Sequence, residues 1–81
     1  MKYSIKVVGS GSHYRDVQAR SMEAAVRKHL GLVRVRFELW PDIGVNGIYS
    51  VVRRERGVYR LLDRVAVFPY SVEVGKRPEV S

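Results

Sequence analysis

The chain has 81 residues, enough for one small domain, and carries 15 Lys and Arg against 8 Asp and Glu, a formal net charge of +7. An apolar content of 46% is too high for intrinsic disorder, and the lack of cysteine excludes disulfides, thiolate zinc sites and cysteine nucleophiles. No apolar run approaches the roughly 18 residues of a membrane helix, and Met1–Val8 alternates where a leader would be continuously apolar; a soluble, cytoplasmic protein without a membrane partner is expected, and a multi-domain enzyme is excluded.

Tyr3, Ile5 and Val7 alternate with Lys2, Ser4 and Lys6, the period-two pattern of a half-buried strand. Gly9-Ser10-Gly11-Ser12 breaks it, and Tyr14 to Arg20 reads as a second strand, with Val17 and Ala19 facing inward, paired to the first as a hairpin. Ser21 is a good N-cap, and Met22, Ala25, Val26, His29 and Leu30 fall on one helical face, with Gly31 as the stop. Glu23 and Arg27 are spaced to pair on the wet face. A helix of about nine residues does not hold alone in water, so it must lie on the sheet.

Val33, Val35, Phe37 and Leu39 alternate with Arg34, Arg36, Glu38 and Trp40 and predict a third strand. Pro41 to Gly47 reads as a loop, Ile48 to Arg54 as a fourth strand, and Val58 to about Pro69 as a fifth. A three-residue loop, Glu55-Arg56-Gly57, is preferred over the two-residue loop Arg56-Gly57, because the latter sets Arg53 opposite Arg60. The preferred register puts Arg53 opposite Tyr59. A bulge near Asp63 restores the phase lost at Leu61-Leu62. Tyr70, Val72 and Val74 are candidates for one more edge strand, giving a single domain over residues 1–74 and a loose tail at 75–81. The fold class is α+β: β-β-α-β-β-β, one short helix on an antiparallel sheet of about four to six strands.

Catalytic signals are weak. Ser10, Ser12, His13 and Asp16 crowd one hairpin end, whereas a working triad draws on distant segments. Two histidines without cysteine make no metal spacing. Gly9-Ser10-Gly11-Ser12 has no helix behind it to complete a phosphate cradle and reads as a hairpin tip. No enzymatic activity and no cofactor are expected.

The basic residues carry the stronger signal. Eleven of the fifteen are Arg, the planar fork that matches phosphate and stacks on rings; the bland alternative is compositional bias on a solvated face. Arg34, Arg36 and Trp40 share the outward parity of the third strand, the chemistry of single-strand stacking and also of protein–protein hot spots. Against this, Trp40 beside Pro41 is also placed to fold over the core rim. Arg53, Arg54, Arg56, Arg60 and Arg64 make a basic hairpin, with Arg54, Arg60 and Arg64 on or near one face. Its charges would equally guard an edge against aggregation.

The strand running through Val17-Gln18-Ala19-Arg20-Ser21 into the short helix Met22-Glu23-Ala24-Ala25-Val26 resembles a layout of small phage and mobile-element domains, among them anti-CRISPR proteins. The likeness spans roughly residues 3–40 and is one of pattern. It implies one helix on an antiparallel sheet and a charged face that docks on a nucleic-acid-guided complex, while the positive charge departs from the acidic DNA mimics of that group. It assigns no functional residue.

The sequence thus predicts a non-enzymatic basic binding module for nucleic acid or a nucleoprotein complex, acting through Arg34, Arg36, Trp40, Arg54, Arg56 and Arg60; an inhibitor of host defence is one version. An acidic protein surface is a further candidate partner, and monomer and homodimer both remain open. The alternative is an assembly protein that pairs through a sheet edge or aromatic face.

Overall fold

The computed structural model of the chain describes residues 1–9, 11 and 13–69. The expected edge strand at Tyr70, Val72 and Val74 and the tail at 75–81 lie outside these residues, as do Ser10 and Ser12.

The alternating N-terminus forms β1 (Lys2–Val7), which pairs antiparallel with β2 (Arg15–Gln18) as a hairpin. The helix α1 (Met22–Leu30) starts where its cap dictates: Ser21 is extended and its hydroxyl oxygen accepts from the Ala24 amide at 3.1 Å. Gly31, left-handed at φ 66°, ends it and returns its own N–H to the Arg27 carbonyl. Ala25 and Val26 are fully buried, and Met22 and Leu30 pack beside them. Burying a side chain such as Val26 contributes roughly 1.5–3 kcal/mol, stabilisation that nine residues of helix lack in isolation.

The remaining strands are β3 (Glu38–Pro41), β4 (Ile48–Glu55) and β5 (Val58–Pro69), and the five form one sheet in the order β2-β1-β5-β4-β3. All pairings are antiparallel, so the α+β architecture is as expected. β5 lies at the centre because β1 docks on its second half, Ile5 opposite Val67 and Val7 opposite Val65. The core lies between α1 and one sheet face, built on Tyr3, Ile5, Val17, Val51, Val65 and Val67. Opposite Val51 and Val52 the register steps from Asp63 to Leu61, leaving Leu62 as the extra residue of the bulge expected near Asp63.

The third strand is shorter than its alternation suggests. The chain leaves β2 at one sheet edge and must reach β3 at the other, so α1 and the segment after it cross the sheet face. Residues 33–37 therefore have no strand partner: Val33 and Arg34 form a turn, with Arg34 at φ 59°, and pairing begins only at Glu38 opposite Val52. Phe37 is buried in the core, and Arg27 bonds the crossing backbone.

The β4–β5 turn also differs from expectation. It is the two-residue loop Arg56-Gly57, with φ of 50° and 79°, the left-handed pair of a type I′ hairpin. Arg53 does face Arg60. Glu55 removes the conflict, one oxygen lying 3.4 Å from Arg53 Nε and the other 3.8 Å from Arg60 Nε. The primed turn matches strand twist, and a shared carboxylate offsets the like-charge repulsion that argued against it.

Candidate functional site

Beyond Val52 on β4 and Val65 on β5, neither neighbour strand continues the ladder. Arg53 to Arg60 thus project from the sheet as a two-stranded ribbon, with Arg53, Arg54, Arg56 and Arg60 on it. Alternation divides these cations between two faces. Arg53 and Arg60 stand on one and share Glu55. Arg54 and Tyr59, paired across the ribbon, stand on the other.

That second face is the one α1 leaves bare. Trp40 on β3 lies there with Tyr59, ring centroids 4.7 Å apart and planes tilted by 60°. Both rings are partly open to solvent, 41% and 45% exposed. Val52 has the same parity, between them in strand order, and is only 5% exposed although it belongs to the side away from the helix. The aromatic pair thus roofs Val52. The indole Nε1 donates to Glu38 Oε1 at 3.4 Å, and the Arg54 guanidinium stands 6.0 Å over the Tyr59 ring.

Beside this pair is an open depression of about 500 Å³ lined by Arg36, Phe37, Glu38, Val52, Arg54, Arg56 and Gly57. Arg36, Arg54 and Arg56 make no ion pair among the described residues. Three guanidinium groups against the one carboxylate of Glu38 leave the depression cationic.

Of the six residues singled out from the sequence, Arg36, Arg54, Arg56 and Trp40 come together here. Arg34 does not: it sits in the turn after α1, because the strand that was to align it with Arg36 and Trp40 begins four residues later. Arg60 points to the opposite face of the ribbon from Arg54, where the longer loop had them alike. Arg64 is neutralised by Asp42, Nη2 to Oδ2 at 2.6 Å.

Tyr59 is the residue that sequence reasoning missed. The signal was the dipeptide Arg56-Gly57: taken as a two-residue turn, it puts Tyr59 opposite Arg54 and on the side of Trp40. Of the hairpin-end polar group, His13 and Asp16 are described and both are exposed. Among the described residues, no three His, Asp or Glu side chains are grouped to hold a metal ion, and no helix is long and apolar enough to cross a membrane. His29 titrates below its ordinary range, chiefly through burial and then through the Arg15 charge, against an opposing pull from Asp63. No protein-family model, curated protein or solved structure matches this chain.

Proposed function

We propose that this chain is a small non-enzymatic module that binds nucleic acid, free or within a nucleoprotein complex, through the projecting hairpin and the aromatic pair at its base. The observation that carries this reading is the convergence of Arg36, Arg54 and Arg56, none of them in an ion pair among the described residues, on one depression beside Trp40 and Tyr59. A guanidinium fork fits a phosphate through charge-assisted bonds, and a ring accepts the face of a base. An inhibitor that docks on a nucleoprotein complex is one form of the same reading.

A mobility-shift titration with oligonucleotides from about 50 to 200 mM salt tests it. Affinity should fall steeply with salt, and each of Arg36→Ala, Arg54→Ala and Arg56→Ala should reduce the log–log slope by about one. An absence of any shift, with a mass that grows with protein concentration, would instead favour assembly through an outer strand, β2 or β3. Binding to acidic protein but to no oligonucleotide would move the partner class.

A further inference from the structure

We infer that the site takes an unpaired nucleotide, its base stacked on Trp40 and its phosphate held in the depression between Arg36, Arg54 and Arg56. This rests on the nucleic-acid reading and adds to it which form of nucleic acid fits and which group meets which residue.

The two aromatic rings are not equivalent. Tyr59 already has the Arg54 guanidinium over it, whereas among the described residues no cation stands over the indole of Trp40. The indole is also held in place. Its N–H is bonded to Glu38, Tyr59 leans on it at 60°, and Val52 lies buried beneath the pair. A ring ordered before binding has little freedom left to lose when a base settles on it. The stacking ring and the cationic depression adjoin: Glu38, which accepts from the indole, lines the depression, as does Arg54, which stands over the neighbouring Tyr59 ring. The depression, about 500 Å³, is of small-ligand size. Glu38 on its rim is engaged by the indole, and three guanidinium groups outweigh it.

The distribution of charge argues against a duplex groove as the target. A ribbon sunk in a major groove meets phosphates on both sides. Here Arg53 and Arg60 on one side of the ribbon share the Glu55 carboxylate, whereas Arg54 and Arg56, unpaired among the described residues, join Arg36 on the other. The larger cationic excess, and with it the inferred ligand, lies along that second face. That face offers a ring, and a duplex hides its base faces except at its ends.

The experiment compares four probes of matched charge by fluorescence anisotropy: an unpaired oligonucleotide, the same strand with abasic sites, a fully paired linear duplex, and inorganic polyphosphate. The unpaired strand should bind about tenfold more tightly than its abasic counterpart and quench the emission of Trp40, the single tryptophan of the chain. Trp40→Ala should reduce the unpaired strand to abasic affinity, and Trp40→Phe should retain most of the difference, which separates stacking from a folding defect. Equal binding of all four probes without quenching would overturn the stacking inference and leave the nucleic-acid reading standing as a purely electrostatic one. Preference for the duplex would overturn it in favour of groove insertion. Failure of every probe to bind would remove both.

Discussion

The Arg27 guanidinium lies 4.8 Å from the centre of the Phe37 ring while its Nη1 donates to the carbonyls of Leu32 at 2.9 Å and Val35 at 2.7 Å. One side chain thus satisfies the backbone of the segment that crosses from α1 to β3 and covers the ring that the segment delivers to the core. Its ion pair with Glu23 is longer, at 3.8 Å, and more exposed. Trp40 is three residues beyond Phe37, so the position of the indole depends on this crossing.

Arg27→Ala should cost about 2–4 kcal/mol, read as a shift in the urea midpoint, because two part-buried carbonyls lose a charged donor and Phe37 loses its cation. Lysine should recover less than half of this, since it lacks the planar fork. Glu23→Ala, which removes only the exposed pair, should cost about 0.5 kcal/mol or less.

Arg56 holds a left-handed backbone at φ 50°, which asparagine or glycine adopts with less strain. Arg56→Asn should raise the melting temperature and lower oligonucleotide affinity together. Gly57→Ala, at φ 79°, should destabilise the hairpin by about 1 kcal/mol without changing its charge. A parallel loss of stability and affinity in Arg56→Asn would mean that the turn, not the guanidinium, is the contribution of that residue.

Glu55→Gln leaves Arg53 and Arg60 facing each other without their shared carboxylate. Stability should fall by roughly 0.5–1 kcal/mol at low salt and recover as salt screens the repulsion. Affinity for polyanions should rise, since two guanidinium groups are released. Thermal melts and anisotropy titrations over the same salt series measure both.

His29 prefers the neutral form in the folded protein, because burial and the Arg15 charge oppose its protonation more than Asp63 favours it. In the unfolded chain it takes up a proton as pH falls through about 6.5. The unfolded state then binds more protons, so this contribution is complete above that value and is lost as pH drops through it toward the folded pKa. Urea midpoints measured at steps from about pH 8 to 5 should show the decline. His29→Gln should flatten it relative to the parent protein.

Much of the fold was legible because its determinants are local. The alternation of Tyr3, Ile5 and Val7, the Ser21 cap, the Ala25/Val26 stripe and the Gly31 stop each act over a few residues, and β1 and α1 appear where they direct. The bulge beside Asp63 was legible for the same reason: two adjacent leucines cannot both keep phase. Along residues 33–37 the identical kind of signal misled. Alternation makes a segment fit for a strand, but a strand also needs a neighbour, and here a guanidinium took the carbonyls instead.

By itself the sequence determined the class of fold, the limits of the helix, the long fifth strand and the surplus of arginine. Tertiary structure alone decided which arginines meet. Turning Arg56-Gly57 as two residues rather than three moved Tyr59 to the side of Trp40 and sent Arg60 away from Arg54, and the edge-to-edge crossing removed Arg34 from the sheet. Side-chain parity along a strand is a local property, whereas register and partnership are set by pairing between distant segments. A one-residue change there exchanges the two faces of a ribbon.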